Sequence, residues 1–310
     1  MSAARRLGLV LALLAAACAA PGREAARRGP ELPPLAGPAA RPAQVAMVSI
    51  AGLTPERYRA EGEMPVLAAL ARAGVSADAV EGVTPASAYP AHATLVTGEV
   101  PAAHGIAADR LLGPQGVRAA LNSHASRLRV PTLWQRVGEA GGRVASLAWP
   151  TTVGAEMALR LPDVEPARGG DAWLAALADA ATPELIPLAR AAGGEAAAAN
   201  VPGPVRDQVL VGVACALLES EPPPSLLLLH LSQTEAPLAL YGPGSPEAQA
   251  AFASADAELG RLLRCLVRDP GRASAALLVV GDRGFAPVHS LFAPNAALLA
   301  AGLQTPAPGS

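Results

Sequence analysis

"TPASAYPAHATLVTGEVPAAHGI", Thr84 to Ile106, is the stretch from which the architecture of this 310-residue chain is best read. Within it "AHATLVTG" is helix-compatible and is closed by Gly98, the residue that enters a left-handed helix end at least steric cost. Upstream, "QVAMVSI" (44–50) is a short, mostly apolar, β-favouring run suited to an interior strand. Between the two, "MPVLAALARAG" has helical periodicity ending on Gly74, and "VSADAVEGV" (75–83) suits a second strand. Downstream the alternation continues. "PTLWQRVGEAGG" reads as helix, "RVASLAW" as strand, "DAWLAALADA" and "VPGPVRDQVLVGVACALLE" as helices, and "SLLLLHL" as a central strand. "YGPGSPE" then turns into a long amphipathic helix, with Pro246 and Glu247 suiting its first turn, and "SAALLVVG" is a further strand. Apolar strands separated by crossover-length helices predict an α/β fold whose mostly parallel sheet is covered on both faces. Right-handed crossovers would gather the strands' carboxyl ends on one edge, where sites in such folds collect.

The chain is 51% hydrophobic and 16% charged, enough to bury a substantial core and to exclude disorder throughout. A net charge of -2 without Lys/Arg blocks, and 3% aromatic residues, argue against nucleic acid as a partner. Small anionic ligands need only local donors and stay open. At the start, Arg5 and Arg6 precede the apolar run Leu7 to Ala17 and then Cys18, the pattern of an export signal over 1–18 that is too short to span a membrane as a stable anchor. "AAAC" resembles a bacterial lipoprotein processing box, which would make Cys18 the lipid-bearing first residue; a plain secretory signal is the alternative. The expected location is therefore exported, on a membrane facing the periplasm or exterior. Residues 19–43, rich in Pro, Gly, Ala and Arg, read as a flexible linker, 44–303 as the domain and 304–310 as a tail. Cys215 and Cys265 sit in apolar helical settings and are expected as two buried small hydrophobes, with a single disulfide also open. Trp134, Trp149 and Trp173 are expected in core or cap-edge packing rather than as stacking sites.

"YPAHATLVTG", "HGI", "TLWQRVGEAGG", "YGPGSPE", "DAELGRL" and "GDRGFAPVH" occur in an order that resembles the type I phosphodiesterase/nucleotide pyrophosphatase branch of the alkaline phosphatase superfamily, over most of the chain from about residue 44. The resemblance implies an alkaline-phosphatase-like three-layer α/β/α sandwich. It also implies hydrolysis of phosphate mono- or diesters by a Thr or Ser nucleophile and two zinc ions, one activating the nucleophile and one holding the leaving oxygen. A short inserted cap would fall around 150–220.

The residues that such chemistry requires are largely replaced. The Asp that opens the ligand set after the first strand is Ala51, and the nucleophile position, four before His92, is Ala88. Neighbouring Ser87 offers a hydroxyl, although a solvent or capping role suits it better. The Asp and His ahead of the "YGP" turn correspond to Glu235 and Ala239. The Ser-Asp-His-Gly loop reads Gly281, Asp282, Arg283, Gly284, so the carboxylate is kept while an imidazole becomes a guanidinium that does not ligate zinc. Arg283 can take the emptied metal position and pair with Asp282, Glu235 or an incoming anion. A distal histidine expected after "APNAALLAAGL" does not occur before Ser310, and His289 reads as a surface or supporting histidine. An active enzyme would need substitutes such as His92, Asp109, His124 or His230. His92 and His104 are expected to make local hydrogen bonds, and His230 to be satisfied against backbone. The expectation is a catalytically inactive, exported relative without a cofactor, binding an anionic ligand or a protein partner. The alternative is a zinc-dependent phosphate-ester hydrolase with a rearranged site.

Overall fold

A computed structural model describes residues 43–59, 62–113, 116–165, 173–193, 203–267 and 274–305. The expected signal peptide, Cys18, nearly all of the linker and the last five residues lie outside the described part.

Seven strands are described: β1 (Gln44–Ile50), β2 (Arg110–Gly113), β3 (Gly116–Leu121), β4 (Val144–Leu147), β5 (Leu159–Leu161), β6 (Leu226–Leu231) and β7 (Ala275–Gly281). Five form one parallel sheet in the order β5-β4-β6-β1-β7, and β2 and β3 make a separate antiparallel pair. The leucine run of β6, broken only by His230, follows from its place: every residue from Leu226 to Leu231 is buried between β4 and β1. Alternate residues of β1 serve two cores. Ala46, Val48 and Ile50 join the larger one with the helices Pro65–Ala73, Gly203–Leu218 and Pro246–Leu266, while Met47 joins Trp134, Trp149, Leu226 and Leu228 beneath the helices Ala88–Thr97 and Leu133–Glu139. The result is the three-layer α/β/α sandwich with a parallel central sheet. None of the described helices is long and apolar enough to cross a membrane.

Local chemistry explains the helix boundaries. Thr132 and Gln135 form a reciprocal capping box ahead of Leu133–Glu139. Ser245 accepts from the Ala248 N–H, with Pro246 in the first turn. Gly98, at φ 71°, ends the Ala88–Thr97 helix. The helix Pro65–Ala73 has no cap of its own. Asp256, far along the chain, accepts from Val66 N–H at 2.8 Å and Leu67 N–H at 2.9 Å and supplies one.

Four expectations need correction. Residues 75–83 form no strand and are almost wholly exposed, since Asp78, Glu81 and Gly82 interrupt the apolar positions and no neighbouring strand offers a ladder. Cys215 and Cys265 are joined in a disulfide, because adjacent helices bring their Cα atoms to 5.3 Å. Closing a loop of about 50 residues contributes on the order of 4 kcal/mol in the chain-entropy account. The segment expected as a cap, 150–220, instead supplies β5 to the main sheet and the Gly203–Leu218 helix to its larger core. Finally, β7 is not covered on both faces: it is an edge strand, and Leu278 is 46% exposed.

Candidate functional site at the carboxyl ends of the strands

The parallel sheet delivers its strand ends to one edge. Ala51 and Gly52 follow β1, Ser232 to Glu235 follow β6, and Asp282 and Arg283 follow β7. The turn after β1 is held to β7 by the Gly52 N–H, which donates to Asp282 Oδ1 at 2.8 Å. Only glycine fits there, since φ is 69° and a Cβ would lie 2.3 Å from Leu238 Cδ1. Thr234 Oγ1 donates to the carbonyl of Ala51 at 2.6 Å and ties in β6 as well.

Arg283 occupies the middle of this arrangement. One terminal nitrogen donates to the other Asp282 oxygen, Oδ2, the second to Glu235 Oε1, and the guanidinium lies over Phe285 at 5.1 Å from the ring centroid. The side chains of Arg283 and Asp282 are 10% and 0% exposed, whereas Glu235 is 43% exposed. Burial raises the Glu235 pKa, Arg283 works against that shift, and Asp282 adds to it. Asp109 also lies within electrostatic range of Glu235 and accepts from the Tyr89 N–H at 2.8 Å. Two carboxylates on one guanidinium, with Asp109 within range of Glu235, leave an acidic neighbourhood with the guanidinium's donors directed at carboxylates, which is a poor attractor of anions.

A two-zinc centre does not fit this donor set. Both Asp282 oxygens already accept hydrogen bonds, Glu235 is turned to Arg283, Ala51 is a buried methyl, and Ala239 is exposed on the helix Glu235–Tyr241. Among the described residues no three His, Cys, Asp or Glu side chains are grouped to hold a metal ion. Zinc wants three or four converging ligands, and an arginine cannot be one of them.

The nucleophile position, Ala88, is the first residue of its helix and 7% exposed. Ser87 stands at the N-cap with extended backbone, yet its hydroxyl makes no capping bond and is buried without a partner, so the expected capping or solvent role does not hold. Tyr89 continues the line: its hydroxyl donates to Asp163 Oδ2 at 2.9 Å. Burial raises the pKa of both groups, and the Asp163 charge raises that of Tyr89 further.

Beneath this helix lies a second polar cluster, which the sequence reading did not assemble. Ser49 and His230 are register partners on β1 and β6, and His92 stacks on His230 with ring centroids 4.2 Å apart and planes 8° from parallel. Trp149 closes the other side of His92 edge-on at 4.9 Å. The His92 Nδ1–H donates to the Ala88 carbonyl at 2.7 Å, as expected of a local bond. Its Nε2, both ring nitrogens of His230 and the Ser49 hydroxyl have no partner. His230 is therefore not satisfied against backbone, because a side chain standing off the sheet face cannot reach carbonyls engaged in the ladder. Burial lowers both pKa values, His230 well below its ordinary value with the His92 and Arg283 charges adding to the effect; for His92, Asp282 partly opposes it.

The other candidates are scattered. His104 is buried and locally bonded, taking the Ile106 N–H at 3.1 Å and reaching Thr94 Oγ1 at 3.1 Å. His124 is exposed, and exposed His289 is hydrogen-bonded to Ser290 at 2.9 Å. Asp207 escaped notice in the sequence because it sits inside a helix pattern. It is fully buried, accepts from the Ser232 and Gln233 N–H groups behind β6, and burial pushes its pKa up to about 7. A lone Asp in an otherwise apolar helix face was the available signal.

Comparison with known proteins agrees with this fold. Murine ectonucleotide pyrophosphatase/phosphodiesterase 5, solved as an inactive threonine-to-alanine variant in complex with AMP, superposes with a TM-score of 0.56 at 21% identity, over 78% of this chain and 57% of that one. Phosphonoacetate hydrolase from Sinorhizobium meliloti 1021, in complex with phosphonoacetate, gives 0.56 at 22% identity, over 80% and 58%. Human ectonucleotide pyrophosphatase/phosphodiesterase 5 gives 0.56 at 20% identity, over 78% and 57%. The chain thus spans less than three fifths of the length of these structures. No curated protein matches it. The family model described as type I phosphodiesterase / nucleotide pyrophosphatase matches residues 45–309, and the chain belongs to that family as a distant, degenerate relative.

Proposed function

We propose that this chain is a catalytically inactive, exported member of its family, in which the former metal site has become an internal ion pair and the domain serves as a binding scaffold. The observation that carries the reading is Arg283 lying between Asp282 and Glu235. A guanidinium there supplies the positive charge that the retained carboxylates require, without any capacity to activate a nucleophile. Ala88 offers no nucleophile in any case, and Ala51 and Ala239 remove two further ligands. Export is supported by Arg5 and Arg6 ahead of the apolar run to Ala17, and by the Cys215–Cys265 disulfide, which suits an oxidising compartment. The "AAAC" pattern supports a lipid on Cys18 and hence a membrane surface as the protein's location.

A second reading, a small phosphate-bearing ligand, is favoured by the unpartnered Ser87 hydroxyl at the start of the Ala88–Thr97 helix. The murine relative supports it in kind, since that protein is found with AMP in an inactive form. The acidic surroundings of Arg283 weigh against tight binding.

Zinc content and turnover of an aryl phosphodiester, measured on the purified mature protein, test the main reading. The expected result is substoichiometric zinc and no chelator-sensitive hydrolysis. Two tightly held ions per chain, or hydrolysis abolished by both chelation and Asp282→Asn, would overturn it. Calorimetric titration with AMP separates the second reading from the first.

A further inference from the structure

We propose that the stacked pair His92–His230 is an acid-operated release for the Ala88–Thr97 helix, which lifts from the sheet when the imidazoles take up protons. Helix and strand periodicity bring the two rings together. His92 and Val96 are i and i+4 on one helix face, and Val96 packs with Met47 and Leu228. Two residues further along β1 and β6 the same sheet face carries Ser49 and His230, and there His92 comes to rest, with ring centroids 4.2 Å apart and planes 8° from parallel. His92 is 0% and His230 4% exposed, so a movement of packed elements is needed to bring either ring to water.

The stack suits neutral rings. His92 Nε2 and both nitrogens of His230 have no hydrogen-bond partner, so an added proton finds no acceptor. A neutral orphan is tolerable inside an apolar core, whereas a charged one is not, and two like charges at 4.2 Å repel strongly where water is excluded. The lowered pKa values of both rings agree with this geometry.

The charged surroundings do not rescue an imidazolium. Asp282 and Asp109 favour charge on His92, but Asp282 is already held by Gly52 and Arg283 and Asp109 by the Tyr89 N–H, while Arg283 opposes charge on both rings. The Ala88–Thr97 helix and strands β1, β4 and β6 carry no Asp, Glu, Lys or Arg. On the Leu133–Glu139 helix, Arg136 and Glu139 pair with each other, and His104 on the helix Pro101–His104 bonds Thr94.

The helix is the member that can yield. β6 is hydrogen-bonded to β4 and β1, and β1 to β7 as well. The helix is tied instead by single bonds, the Tyr89 N–H to Asp109 at 2.8 Å and Trp149 Nε1–H to the His92 carbonyl at 3.4 Å, and Ser87 gives it no capping bond. Its first turn holds Ala88 and Tyr89 at the carboxyl edge of the sheet, so release also reshapes the candidate site.

Hydrogen exchange at pH 7.5 and pH 5, corrected for the intrinsic rate and read on the purified protein with its disulfide intact, tests the proposal. Residues 88–97 are expected to exchange faster than the Pro246–Leu266 helix at pH 5. Each imidazole that charges only in the released form accelerates opening about thirty-fold between the two pH values, so at least that change is expected in 88–97. Ring-nitrogen NMR shifts of the ¹⁵N-labelled protein, which need no variant, are expected to show His92 and His230 neutral at pH 7.5 and charging together with the change in exchange. His92→Leu with His230→Leu is expected to lose the acceleration. Exchange of both helices at one common rate at pH 5 would mean global unfolding and sinks the proposal. So do rings that stay neutral through the change, rings that charge while 88–97 stays protected, or an acceleration that persists in the double variant and so belongs to His104 or Asp109. None of these readouts depends on whether the protein hydrolyses phosphate esters.

Discussion

Two polar clusters lie close together at one end of the sheet, and they are treated oppositely. Around Arg283 every charged group has a partner: Asp282 is held by Gly52 and Arg283, and Glu235 by Arg283. Around His230 the groups are neutral and have none, with four ring or hydroxyl atoms of His92, His230 and Ser49 left unbonded. The size of the penalties explains the difference. An uncompensated buried charge costs several kcal/mol, enough to demand a partner, whereas an orphaned neutral donor or acceptor costs about 1–3 kcal/mol and is tolerated in a fold with a large apolar core.

The sharpest way to break this comparison is Arg283→Ala, which strands Asp282 beneath the surface. A loss of about 3 kcal/mol in urea denaturation is expected, at the lower end of the range for broken buried pairs because Glu235 keeps access to solvent. Removing both charges, in Asp282→Asn with Arg283→Met, is expected to cost less than Arg283→Ala alone. If the single change is harmless, the guanidinium is not what stabilises this end of the sheet.

On the neutral side the sign reverses. His230→Leu removes two orphaned nitrogens from an otherwise apolar strand and is expected to stabilise by about 1 kcal/mol. Destabilisation of that size instead would mean that the imidazole is bonded in solution. The same variant addresses pH. Both imidazoles have folded pKa values below the unfolded value of about 6.5, so as pH falls the unfolded chain binds protons first. Their contribution is complete above about pH 6.5 and is lost as pH drops from there toward the folded-state values. A shallower acid limb in His230→Leu, read from denaturation midpoints between pH 7 and 5, is the expected outcome.

Glu235→Gln should have the smallest effect. With its side chain 43% exposed, the pair to Arg283 is screened by water, and a loss below about 1 kcal/mol is expected by the same urea assay. A larger loss would make Glu235 an equal member of the ion pair rather than its outer partner.

The strand and helix order was legible because it rests on short-range signals: the apolar runs of β1, β6 and β7, the Thr132–Gln135 box, and Gly98 at a helix end. The alanine at position 88, where the resemblance places a nucleophile, is likewise a matter of residue type alone. The strand expected over 75–83 failed because a strand needs a neighbour to bond to, and no local pattern shows whether one will be there. β7 reads as interior for the converse reason, since composition reports what a strand could bury and not what covers it.

What the sequence determined by itself, then, was the kind of fold and the inventory of groups available to its site. Only the tertiary structure decided who meets whom. Gly52 and Asp282 are 230 residues apart, Arg283 and Glu235 are 48 apart, and Cys215 finds Cys265 at a separation of 50. Such meetings depend on strand order and helix crossing, set by packing of the whole core. Local propensity acts over a few residues, and it carries no term for contacts between segments so far apart.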